Sequence, residues 1–144
     1  MIVCSHAHPL AQPLSSRRTV KSGAKAAVSI EQLREATWLL REPGSGTREA
    51  VERVLLPYLH RWKTDTDLGS AEAIKQATAE GLGITCLSRC AVADLVKLGR
   101  LVILKTALPR LQRPFYLIHH EQRFLSRTLE RFIAECMAPY SRRK

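Results

Sequence analysis

The sequence predicts an α/β protein, a sheet flanked by helices, and three observations carry that prediction. Short apolar runs alternate with amphipathic stretches of helical period. The helical stretches open on Ser and close on Gly, and no internal repeat interrupts the alternation. Met1 to Cys4 is apolar and β-branched, reads as a strand, and gives way to a loop at Pro9, where φ is fixed and a donor is lost. Leu14 to Val28 holds small, polar and basic residues without a period and reads as an exposed, flexible connection. Glu31 to Ala36 gives a short helix, and Thr37 to Leu40 a second apolar strand.

After the turn Arg41 to Thr47, Val51, Val54, Leu55, Tyr58 and Leu59 fall at i, i+3, i+4, i+7 and i+8. That spacing makes one apolar stripe on a helix. Trp62 to Leu68 reads as extended, and Gly69-Ser70 opens a helix that turns Ile74 and Ala77 inward and stops at Gly81. Ile84 to Leu87 is a buried type of strand. Ser88 starts a helix through Val92, Leu95 and Val96 that ends at Gly99, and Leu101 to Leu104 is a further strand. Beyond Pro109 and Pro114, Phe115 to His119 reads as a strand, and the last helix carries Leu125, Leu129, Phe132, Ile133 and Cys136 on one side.

Composition narrows the class. A chain of 144 residues, 45% hydrophobic and 25% charged, suits one globular domain with its own core. No run approaches the roughly 18 apolar residues of a membrane helix, and the opening MIVCSHAHPLAQ lacks a secretory h-region, so a soluble cytoplasmic protein is expected. Cys4, Cys86, Cys90 and Cys136 form no C-x-x-C pair and read as reduced thiols. The net charge of +10 suggests nucleic acid, but its densest stretches, Arg17 to Lys25 and Arg142 to Lys144, lack interleaved aromatics and read as solvated ends or loops.

Two junctions put glycine and hydroxyl residues where the first N–H groups of a helix lack partners. They are Pro43-Gly44-Ser45-Gly46-Thr47 and Leu68-Gly69-Ser70-Ala71. Glycine admits a ligand close to the backbone, and the helix end supplies partial positive charge, so a small anion fits. Simple helix capping explains the same residues.

Family likeness adds to this. Trp38-Leu39-Leu40-Arg41-Glu42-Pro43-Gly44-Ser45-Gly46-Thr47-Arg48-Glu49 resembles the signature of the C-terminal substrate (effector)-binding domain of LysR-type transcriptional regulators. So does Leu68-Gly69-Ser70-Ala71-Glu72-Ala73-Ile74-Lys75-Gln76-Ala77, followed by Gly81-Leu82-Gly83-Ile84. His8-Pro9-Leu10-Ala11, Leu87-Ser88-Arg89 and Phe115-Tyr116-Leu117-Ile118-His119 are similar to further family segments in the same order. The resemblance implies a type II periplasmic-binding-protein-like fold, two α/β lobes joined by crossover strands with an effector between them. On that template residues 1–8 are the first crossover, 9–114 the second lobe, with 14–28 its flexible loop, and 115–144 the return crossover and a helix of the first lobe.

The candidate effector-binding residues are Gly44, Ser45, Gly46, Thr47, Gly69, Ser70, Ala71 and Gly83. The expected partners are a small-molecule effector and further copies of the chain. DNA is reached only through a helix-turn-helix domain, which the 144 residues do not contain, and no membrane, metal or cofactor is called for. The opening part of the first lobe likewise has no counterpart, so a truncated remnant remains an alternative, as does a free-standing solute-binding protein, which requires export.

Other chemistries have weaker footing. Cys4, His6 and His8 would share one face of an extended strand, a ligand set for a soft metal, although no carboxylate to orient the histidines is near in sequence. Gly44-Ser45-Gly46 matches neither the G-x-S-x-G elbow nor the spacing of a phosphate-binding loop, and Asp65, Asp67 and Asp94 accompany no histidine motif, so no enzyme is expected.

Overall fold

In a computed structural model the structure describes residues 1–12, 27–109, 111–112, 116–122 and 124–141. Strands and helices alternate after a first strand: β1 (Ile2–Ser5), a 3₁₀ turn (Pro9–Ala11), α1 (Ile30–Glu35), β2 (Thr37–Arg41), α2 (Gly46–Leu59), β3 (Thr64–Leu68), α3 (Ala71–Ala79), β4 (Ile84–Cys86), α4 (Arg89–Lys97), β5 (Leu101–Ile103) and α5 (Arg127–Ser141). The mixed α/β architecture is the one the alternation predicts. Contacts divide the chain into two compact units, Met1–Arg113 and Pro114–Lys144.

In the first unit the five strands form one sheet in the order β3-β2-β4-β1-β5. β2 pairs parallel with β3 and β4, whereas β1 runs antiparallel to both β4 and β5. Alternation along the strands splits the core in two. Ile2, Cys4, Trp38, Leu40 and Ile84 face a cluster with Leu33, Leu55 and Leu59 from α1 and α2. Val3, Leu39 and Leu101 face a second cluster with Ile74, Val92 and Leu95 from α3 and α4. Each fully buried Leu or Ile contributes about 1.5–3 kcal/mol through the apolar surface it removes from water.

Trp38 is fully buried because its one polar atom is satisfied: the indole Nε1 donates to the Leu33 carbonyl at 2.8 Å. Thr85, equally buried, donates its hydroxyl to Leu39 O at 2.8 Å. The helix ends follow local rules. Ser29 and Gln32 form a capping box on α1. The last carbonyls of α2 accept from Arg34, Nε to Leu59 O at 3.0 Å and Nη2 to Tyr58 O at 3.3 Å. α3 and α4 run into Gly81 (φ +86°) and Gly99 (φ +73°), with the following N–H groups returning to Ala77 O and Leu95 O.

Two expectations need adjusting. Leu14 to Ala26 lies outside the described residues, but Val28 is buried and bridges Thr106, so the far end of that connection is anchored. Phe115 also lies outside them, and residues 116–119 carry no regular element where a return strand is expected. Tyr116 and Ile118 are instead exposed. An apolar run makes a strand only where a neighbouring edge takes its backbone hydrogen bonds.

Candidate functional site

The parallel part of the sheet decides where the candidate residues meet. β2 and β3 are in register to their last residues, with Arg41 opposite Leu68. The turns that follow, Gly44 to Thr47 and Gly69 to Ala71, therefore leave the same sheet edge from neighbouring strands. In open α/β sheets this carboxyl edge is where ligands bind.

The first turn is shaped by Gly44 at φ +84°, a conformation that L side chains rarely adopt, and closed by Ser45 N–H donating to Glu42 O at 3.2 Å. Ser45 caps α2, its Oγ accepting from Thr47 N–H at 3.3 Å. Ser70 caps α3, its Oγ accepting from Glu72 N–H at 3.2 Å and Ala73 N–H at 3.3 Å. Capping is thus real in both turns, and the hydroxyl oxygens serve it as acceptors. The hydroxyl protons remain as donors, and the two first turns present their positive ends together. Gly44, Gly46, Gly69 and Ser70 are exposed, and Ser45, Thr47 and Ala71 half-buried.

Gly83 is placed differently. It precedes β4, at the amino end of a strand parallel to β2, and is buried where a Cβ would lie 2.5 Å from Thr37 O. Its smallness serves strand packing at the opposite sheet edge. A residue that sequence reasoning leaves out joins the carboxyl edge instead. Ser88 follows β4 and caps α4, accepting from Ala91 N–H at 3.3 Å. The same local signal, Ser after an apolar strand and before a helical stretch, marks 88 as marks 70.

The electrostatics of the edge centre on two arginines. Arg41 makes a two-pronged contact with Glu42, both at 2.7 Å, and holds that carboxyl well below its ordinary 4.5, at about 2. Arg48, in the first turn of α2, contacts Glu52, Asp65, Asp67 and the Arg41 carbonyl. Beneath them lies a cavity of about 10 Å³, lined among others by Arg41, Thr47, Arg48, Thr85 and Cys86, with room for about one water. Burial pushes the Cys86 thiol up, and that of Cys4 to about 11, so neither is a ready thiolate.

The metal alternative loses its geometric premise, because β1 ends at Ser5. Cys4 is buried within the strand, while His6 is exposed in the turn beyond it. Among the described residues no three His, Cys, Asp or Glu side chains gather as a metal-binding set, and no helix is long and apolar enough to cross a membrane.

Comparison with known proteins places this geometry in a family. The LysR substrate binding domain matches residues 1–138. The HTH-type transcriptional regulator YeiE of Escherichia coli (strain K12) is 47% identical over 113 residues, 78% of this chain but 39% of that protein. The chain therefore spans about two fifths of that relative's length. The CcmR regulatory domain of Synechocystis PCC6803, solved in complex with 2-PG, superposes with a TM-score of 0.69 at 28% identity, covering 96% of this chain and 61% of that one. The effector-binding domain of QuiR, solved with shikimate, shares the fold at a TM-score of 0.68 and 14% identity, covering 99% and 61%. With the strand order, the capped carboxyl edge and a match along nearly its whole length, the chain belongs to the LysR substrate-binding domain family.

Proposed function

We propose that this chain supplies the second-lobe side of an effector pocket and binds a small anionic metabolite at the turns Gly44–Thr47 and Gly69–Ala71. The observation that carries the reading is the pairing of Arg41 with Leu68, since it puts two helix N-termini side by side on one sheet edge. Two positive helix ends with hydroxyl donors suit a carboxylate or phosphate better than a neutral ligand. The anions and polyols captured by the related domains, 2-PG in CcmR and shikimate in QuiR, have that chemistry.

In the whole regulator, a first lobe closes over the effector from the other side, in the cytoplasm. Closure shifts the arrangement of associated chains, and with it the spacing of the DNA-binding domains. Such a shift is limited by the effector's differential affinity for the two states. No catalytic step is involved, and no metal or cofactor is required.

The test is a titration of the chain with 2-PG and with shikimate, followed by backbone amide chemical shifts. Shifts concentrated at Gly44–Thr47 and Gly69–Ala71 are expected. Ser70→Asp retains an acceptor for the α3 cap while setting a negative charge in the pocket. It should weaken anion binding at least about tenfold with an unchanged urea midpoint. Shifts that map elsewhere, or an affinity indifferent to Ser70→Asp, would remove the site.

A further inference from the structure

We propose that Arg48 is the positioning residue of the effector turn: its guanidinium ties the chain on either side of the Gly44–Thr47 segment to the sheet edge, so that the donors are preorganised before ligand arrives. The proposal rests on the reading of that turn as an effector contact. Arg48 lies immediately after the turn, and its side chain is 13% exposed. Nη1 donates at 2.9 Å to the carbonyl of Arg41, the last residue of β2 and three before Gly44. One side chain therefore joins the end of β2 to the first turn of α2, across the segment between them. The same nitrogen contacts Asp67 on β3, Nη2 lies 3.4 Å from Asp65, and Nε donates to Glu52 at 2.7 Å, one turn further along α2.

The geometry needs a planar fork. Carboxylates on β3, a carbonyl on β2 and a carboxylate on α2 are reached in different directions from one rigid group, which an ammonium on a flexible stem cannot do at once. Charge points the same way. Three carboxylates surround one cation, so the cluster stays negative beside an anion site. That arrangement is poor for attracting an anion and good for holding a guanidinium. Arg48 is accordingly committed to the protein and is not itself the ligand's counter-ion.

Arg48→Lys separates positioning from charge, because it keeps the cation and loses the fork. The readout is amide hydrogen exchange on the 144-residue chain without ligand. Exchange at Ser45 and Glu49, whose N–H groups donate to Glu42 O and Ser45 O, should rise about tenfold, while Ile74 in α3 changes less than about twofold. Asp67→Asn leaves the guanidinium in place, removes one leg, and should give a smaller rise at the same amides. With inorganic phosphate as probe, Arg48→Lys should raise Kd at least about fivefold. An even rise across the turn and α3, no rise at all, or an unchanged Kd for phosphate overturns the proposal. Failure of the unaltered chain to bind phosphate at the turn counts against the effector site alone, and the exchange measurement still decides what Arg48 does.

Discussion

A methyl group at position 83 would lie 2.5 Å from the Thr37 carbonyl oxygen and 3.3 Å from Leu39 Cγ, and the first of these is backbone of β2 that cannot move without disturbing its pairing with β4. Gly83→Ala should therefore cost about 1–3 kcal/mol in urea unfolding and leave anion binding almost untouched. Ser70→Ala should lower stability as well, but for a different reason and with a loss of binding. Losing the Oγ that accepts from Glu72 and Ala73 N–H costs about 1 kcal/mol of stability and also removes a donor from the proposed site, so its urea midpoint and its affinity fall together. The two glycine-bearing stretches look alike in sequence, and only pairing tells them apart. Gly44 is legible locally, because Pro43-Gly44 marks a turn of the kind that takes positive φ at the glycine. Gly83 is not, since its constraint comes from a strand more distant in the chain. Arg48 is illegible for the same reason: three of its four partners sit on β2 and β3.

The helices are the elements that sequence describes best, because Ser29, Ser45, Ser70 and Ser88 at their starts and Gly81 and Gly99 at their ends act through neighbours only a few residues away. The tie between α3 and α4 is tertiary. Lys75, almost wholly buried, reaches Asp94 and Glu72, each at 2.9 Å. Its ammonium is the main reason that the Asp94 carboxyl titrates below its ordinary 3.8, and the Gln76 amide first, then Lys75, lowers that of Glu72 from 4.5. Carboxyls depressed on folding stabilise fully above their unfolded values, and that contribution is lost as pH falls through the lower folded ones. Urea midpoints should thus drop below about pH 4, and Lys75→Met should flatten this acid limb, as a series of unfolding curves would show. Flattening absent in the variant would mean that the tie does not contribute. The apolar run at 116–119 marks the limit of pattern reading, because hydrophobicity is a property of residues whereas strand formation is a property of pairs.

At the scale of the molecule, the second unit carries an amphipathic α5 on which Leu129, Ile133 and the exposed Phe132 and Met137 lie at helical spacing, with Phe124 exposed just before it. Apolar surface of this kind favours association. Sedimentation velocity should find the chain oligomeric at micromolar concentration, and Phe132→Glu should shift it toward monomer. A monomer at every concentration would dismiss the oligomer expected from sequence. The strand order was the least legible property of all. Successive runs suggest successive neighbours, yet the first strand enters between the fourth and the fifth. That entry has a kinetic consequence. Ile2 pairs with Cys86, and Val3 with Ile103, so β1 is held in the sheet by strands made about 80 to 100 residues later, and closing those long-range contacts is the slow step in building it. Because β1 lies between β4 and β5, the order of the sheet is complete only once that central position is filled.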